Sequence, residues 1–104
     1  MPLRTRPEAD ENVREASHYY AGVDWRRSLA FVRAYDEAVR RIAADPASLP
    51  LHPEATGPDV RYVKLAGFPY VVLFRTADPA ETVVLAVLHT AAGPGQYRRA
   101  ERRG

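Results

Sequence analysis

A chain of 104 residues is long enough for one domain and too short for two with separate cores. Hydrophobic residues make up 46% and charged residues 27%, a balance that supports a packed core and excludes a disordered chain. The 15 Lys and Arg against 13 Asp and Glu leave a net charge of only +2, which excludes coating of nucleic acid by bulk charge, and the lack of cysteine excludes disulfides, thiol catalysis and cysteine-bound metal.

Leu3 to Arg6 can form a short strand at a sheet edge, and Pro7 suits a helix start because its missing N–H would find no helical acceptor there. Ala9, Val13, Ala16 and Tyr20 then recur on one helical face, with Glu8, Asp10 and Glu11 in the first turn and Gly22 as the expected stop. Asp24 can cap a second helix. Its apolar stripe is Trp25, Leu29, Val32, Tyr35, Val39 and Ile42, widened by Phe31 and Ala38, and it ends at Asp45-Pro46. Two helices joined by so few residues must form an antiparallel hairpin.

Pro46 to Pro58 holds four prolines and no periodicity, so it reads as a surface loop. Val60–Leu65, Tyr70–Arg75 and Val83–His89 are rich in β-branched and aromatic residues and are separated by turn chemistry, which predicts an antiparallel meander. The last of these strands is apolar on both faces and belongs inside the sheet. Gly93-Pro94-Gly95 breaks the chain before a basic tail, residues 97–104, in which four arginines surround Glu101. The expected fold is α+β and spans residues 1–104 as one domain. It has an N-terminal helical hairpin on one face of a curved, three- to four-stranded antiparallel sheet.

Conventional catalytic arrangements are poorly supported. Ser17, Ser28 and Ser48 lie in helix or loop rather than in a glycine-flanked elbow, no glycine loop could cradle phosphate, and Asp36-Glu37 point apart on a helix. His18, His52 and His89 show no ligand spacing, so neither a metal nor a cofactor is expected. No apolar run approaches the roughly 18 residues needed to cross a bilayer, and a cytoplasmic protein is expected.

The candidate site is cationic: Arg61, Lys64, Arg75, His89, Tyr97, Arg98 and Arg99. A tight turn at Gly67-Phe68 sets Leu65 opposite Tyr70, which projects Tyr62, Lys64 and Arg75 from one sheet face and Arg61 from the other. His89 joins the Lys64 face in only one register of the last hairpin. Cations gathered on an open sheet face would hold a polyanion or an acidic protein segment. The plainer readings are a strand-end histidine bonded to local backbone for His89, an ion-pair partner for Arg75 and a solvated tail for the terminal arginines.

The order Arg61, Phe68-Pro69-Tyr70, Phe74-Arg75, Leu85-Ala86-Val87-Leu88-His89 and Pro94-Gly95-Gln96-Tyr97-Arg98 resembles the RelE/ParE superfamily of bacterial type II toxins. Upstream, Arg6-Pro7-Glu8-Ala9, Tyr19-Tyr20, Phe31 and the exit from Ile42 to Pro46 fit the same pattern, so the resemblance covers nearly the whole chain. It implies a growth-inhibiting toxin neutralised by a cognate antitoxin whose acidic or amphipathic segment folds over it. In the ParE-like branch the target is DNA gyrase. In the RelE-like branch the toxin is a ribosome-dependent mRNA endoribonuclease, and Lys64, Arg75 and Tyr97 would be its catalytic residues. Thr90 to Gly95 carries no charge where nuclease members usually have arginines, which favours the ParE-like branch. A non-toxic interaction module is the remaining alternative.

Overall fold

The computed structural model describes residues 3–55, 57, 59–78 and 81–102. In chain order these form β1 (Leu3–Thr5), α1 (Pro7–Val23), α2 (Trp25–Ala44), β2 (Val60–Lys64), β3 (Tyr70–Asp78), β4 (Glu81–His89) and α3 (Pro94–Glu101). The sheet order is β1-β4-β3-β2, so the doubly apolar β4 is internal and β1 lies at an edge.

β2, β3 and β4 form the antiparallel meander, whereas β1 pairs with β4 in parallel, Leu3 beside Thr82 and Thr5 beside Val84. That direction follows from the connection to α1, which leaves β1 at once and packs along β4: Arg6 N donates to the Val84 carbonyl at 2.9 Å. Beyond the end of β1, the Val87 N–H is satisfied instead by Asn12 Oδ1 of α1 at 3.1 Å. A short edge strand and one side chain thus close much of an edge that would otherwise invite pairing with other chains.

The two helices are separated by Asp24 alone. Its backbone is extended at φ −165° and ψ 127°; its N–H donates to the Tyr20 carbonyl to end α1, and its carboxylate accepts from Arg26 N to start α2. Gly22, expected to stop the helix, lies inside the last turn because Asp24 performs both terminations. The face of α2 that enters the core also differs from expectation. Phe31, Ala38 and Ile42 are buried, whereas Trp25 and Leu29 of the predicted stripe are exposed. The packing of α2 against both α1 and the sheet selects the Phe31 face, and Ser17 meets Ser28 across the helix interface at 2.8 Å.

Two apolar clusters sandwich the sheet. On the hairpin side Phe31 and Ile42 pack with Val63, Leu65, Val72, Phe74, Val84 and Val87. Phe31 is ringed by Tyr20, Phe68 and Tyr70 at centroid distances of 5.5, 5.2 and 5.3 Å. On the opposite side Val60, Val71, Leu73, Ala86 and Leu88 lie beneath Tyr97 and Ala100 of α3. The expectation of an open sheet face is therefore corrected. The second face of β3 and β4 is itself apolar and has to be covered, and Tyr97 and Ala100, one helical turn apart, supply the cover. Gly93 and Pro94 start that helix rather than merely breaking the chain, with the proline in the first turn.

The proline-rich segment is also more ordered than predicted. After a short 3₁₀ turn at Pro46–Ser48 it docks on the free edge of β2, His52 N donating to the Val60 carbonyl and Tyr62 N to that of Pro50. No helix among the described residues is long and apolar enough to cross a membrane.

Candidate functional site

The meander and α3 together create a groove of about 380 Å³ lined by His52, Pro53, Glu54, Tyr62, Lys64, Val71, Thr90, Ala92 and Tyr97. Its aromatic wall is built from three segments. The His52 ring stacks on Tyr97 at 4.4 Å between centroids and meets Tyr62 edge-on at 5.0 Å. His52 Nδ1 accepts a hydrogen bond from the Glu54 N–H at 3.0 Å, which fixes the ring and leaves the proton of the neutral imidazole on Nε2. Burial holds the His52 pKa below its usual value, and Glu54 and Glu101 only partly oppose that shift. Tyr97 is buried, and desolvation together with the Glu54 carboxylate keeps its phenol above the usual tyrosine range. The groove therefore presents neutral aromatic rings, one exposed cation from Lys64 and one carboxylate from Glu54.

The sequence-predicted cations do not converge there. Lys64 stands at the groove, on the same sheet face as Tyr62, as the hairpin register required: Lys64 pairs with Val71 and Val60 with Arg75. Arg75 shares that face but is engaged elsewhere. Its Nε lies 3.3 Å from Asp59 Oδ2, and its Nη2 donates to the Glu101 carbonyl at the end of α3. Arg61 lies on the opposite face, where Nη1 donates to the Leu49 carbonyl. Arg98 and Arg99 project from the exposed side of α3 in its last turn, where the partial negative charge of the helix end favours them.

His89 is separated from this set by the strand register. It pairs with Tyr70, and Val71 pairs with Leu88, so His89 points to the hairpin side of the sheet rather than to the Lys64 side. There its ring meets Tyr70 at 5.2 Å and its Nδ1 accepts from the Ala91 N–H at 3.0 Å. It borders a second depression of about 320 Å³ with Asn12, Glu15, Tyr19, Tyr70 and Gln96. The plainer sequence readings, a strand-end histidine bonded to backbone and an ion-paired arginine, describe His89 and Arg75 as they stand.

Two contributors escaped the sequence reading. His52 reads as an isolated histidine in a loop, and only the paired prolines beside it, Pro50 and Pro53, hint at a fixed conformation. Glu101 reads as one acid among tail arginines. In the fold it is buried, and its Oε1 accepts from the Gly57 N–H at 2.7 Å, tying α3 to the loop that precedes β2.

The family model described as the ParE toxin of the type II toxin-antitoxin system, parDE, matches residues 3–93. The chain belongs to the ParE toxin family. It is thus the toxin component of a type II toxin–antitoxin module, a member of the superfamily that the sequence resembles. Among solved structures, this ParE-family toxin is similar to a chain of the chromosomal ParDE TA system from P. aeruginosa, with a TM-score of 0.72 and 19% identity over 86% of this chain and 95% of that one. At that identity the similarity speaks for the fold. No curated protein matches the ParE-family chain significantly.

Proposed function

We propose that this ParE-family toxin arrests growth by binding DNA gyrase in the cytoplasm, and that its groove and the exposed face of α3 supply contacts to the target or to the antitoxin. The observation that carries this reading is the engagement of Arg75. An RNA-cleaving site needs several cations around the scissile phosphate to stabilise charge as the 2′-hydroxyl attacks, and loss of one such group typically costs about two to three orders of magnitude in rate. Arg75 is held by Asp59 and the end of α3, Arg61 lies behind the sheet, and Tyr97 is stacked and buried beside a carboxylate. Lys64 is the cation in the groove lining, and Glu54 in the same lining disfavours a polyanion. A mixed aromatic groove with one charge of each sign instead suits a protein segment. Lys64, Arg98 and Arg99 are the contacts assigned to that partner, with the cognate antitoxin competing for the same surface.

The test is direct. Purified toxin added to gyrase inhibits supercoiling in proportion to dose, and the cognate antitoxin reverses the inhibition. Lys64→Ala combined with Arg98→Ala and Arg99→Ala weakens it. Supercoiling that continues at a dose that arrests growth overturns the gyrase assignment. Cleavage of ribosome-bound mRNA that disappears in Lys64→Ala and Tyr97→Phe would establish the endoribonuclease in its place.

A further inference from the structure

The aromatic cluster around Phe31 has two ends that differ in charge. At one end the Arg27 guanidinium lies over the rings of Phe68 and Tyr20, 4.4 and 5.6 Å from their centroids. At the other end the cluster runs from Tyr20 into Tyr70 and into Tyr19, which is 65% exposed. Neither of these two rings carries a cation among the described residues. They line instead the depression of about 320 Å³ beside His89, whose lining holds one carboxylate, Glu15, and no lysine or arginine. Glu15 precedes Tyr19 by one turn of α1, so the carboxylate and the ring stand on the same side of the helix. It forms no ion pair among the described residues, whereas Glu11 is bonded to Arg14.

We propose that this depression is a binding site for a guanidinium group, the head of an arginine side chain or of a free alkylguanidine. Three features fix that chemistry. The faces of Tyr19 and Tyr70 attract a cation, and burial together with the neighbouring phenols of Tyr20 and Tyr19 keeps the Tyr70 hydroxyl above its usual pKa and therefore neutral. The Glu15 carboxylate accepts two parallel N–H bonds from a planar fork, which an ammonium cannot supply. The remaining N–H groups find an acceptor on β4: the Val87 N–H faces α1, where Asn12 Oδ1 takes it, and the carbonyl of the same residue shares that edge of the strand. His89 closes the site as a ring edge-on to Tyr70 at 5.2 Å, its Nδ1 already accepting from the Ala91 N–H. The contact of Arg27 with Phe68 and Tyr20 is the same chemistry made within the chain at the opposite end of the cluster. A volume near the lower end of the ligand-pocket range, about 300 Å³, admits one such head rather than a folded segment. The sheet separates this site from the groove beside Tyr97, and the inference stands whether or not gyrase is the target.

Backbone amide shifts of the full-length, nitrogen-15-labelled protein report occupancy. The probes are the blocked tripeptide acetyl-Gly-Arg-Gly-amide, the same peptide with lysine or with uncharged citrulline in place of arginine, and methylguanidinium. The arginine peptide is expected to produce saturating shifts at Tyr70, Val87 and His89, with an affinity that falls as salt rises. The lysine peptide binds more weakly and the citrulline peptide leaves these signals unmoved. Glu15→Gln should weaken the arginine peptide about tenfold, because the charged half of the pair is lost, while Glu11→Gln, on the same helix, should not. Both residues are exposed, and circular dichroism confirms an unchanged fold. Methylguanidinium binding as tightly as the peptide supports the site as one for a free alkylguanidine, and tighter binding of the peptide supports it as one for a protein arginine. Equal responses to arginine and citrulline, a preference for lysine, shifts confined to other surfaces, or indifference to Glu15→Gln overturns the inference.

Discussion

Arg75, near the middle of β3, donates from Nη2 to the backbone carbonyl of Glu101, the last residue of α3, while its Nε faces Asp59 at 3.3 Å. One guanidinium thereby joins three separate segments. It occupies the helix end where a cation is favoured, and it donates to one of the terminal carbonyls there. Arg75→Ala should destabilise the protein by roughly 1–3 kcal/mol, because the partly buried Asp59 carboxylate loses its cation and the bond to the end of α3 is lost. Urea unfolding measures this. A wild-type midpoint in the variant would release Arg75 from its structural role and return it to the list of candidate phosphate contacts.

Phe31 anchors the hairpin to the sheet through the rings of Tyr20, Phe68 and Tyr70 and has no exposed surface. Phe31→Ala removes those ring contacts, two of them edge-to-face, and leaves a cavity, with an expected cost of about 3–5 kcal/mol. Differential scanning calorimetry should show a large loss of melting temperature. Trp25→Ala, on the exposed side of the same helix, should leave stability almost unchanged.

The β2–β3 turn places Gly67 at φ +81°, in the left-handed region, and a methyl group added there would meet nothing within 4 Å. The cost of Gly67→Ala is therefore conformational rather than steric, about 1 kcal/mol, and Gly67→Asn should recover part of it. Denaturant midpoints for the two variants provide the comparison.

His52 gives the fold a defined acid sensitivity. Its pKa in the folded state lies below the ordinary 6.5, mainly through burial. As pH falls below that ordinary value, the unfolded chain takes up a proton at this position before the folded chain does. Stability at His52 is thus complete at neutral pH and declines through the acidic range until the folded-state pKa is passed. His52→Gln should flatten the slope of unfolding free energy against pH below about 6.5, measured by urea titration at several pH values. An unchanged slope would mean that other groups carry the acid response.

Much of this architecture is visible in residue types alone. The helical hairpin, the three hairpin-linked strands and the internal position of β4 follow from the spacing of apolar residues and from turn chemistry, and the pairing of Leu65 with Tyr70 follows from the length of one turn. Two features were out of reach for physical reasons. The face given to His89 depends on how β3 and β4 align, and the ladder shifts between Leu73 and Phe74 and again between Arg75 and Asp78, irregularities that no residue there announces. The orientation of α2 depends on which of two adjoining apolar stripes meets the sheet, and composition does not separate Phe31, Ala38 and Ile42 from Trp25, Leu29 and Val32. The site suffered most, since side chains of one charge, grouped by strand parity, were drawn off by Asp59, Leu49 and the end of α3, partners distant in sequence or fixed by loop conformation.

The parallel pairing of Leu3–Thr5 with Thr82–Val84 also orders events during synthesis. β1 has no place to dock until β4 has been synthesised after it, so the sheet can be completed only once β4 has been made. A polypeptide cut short before β4 lacks both the central strand and the seat for its own N-terminus. Aborted products of this gene would then be unfolded fragments, ready for proteolysis, rather than partially active poisons.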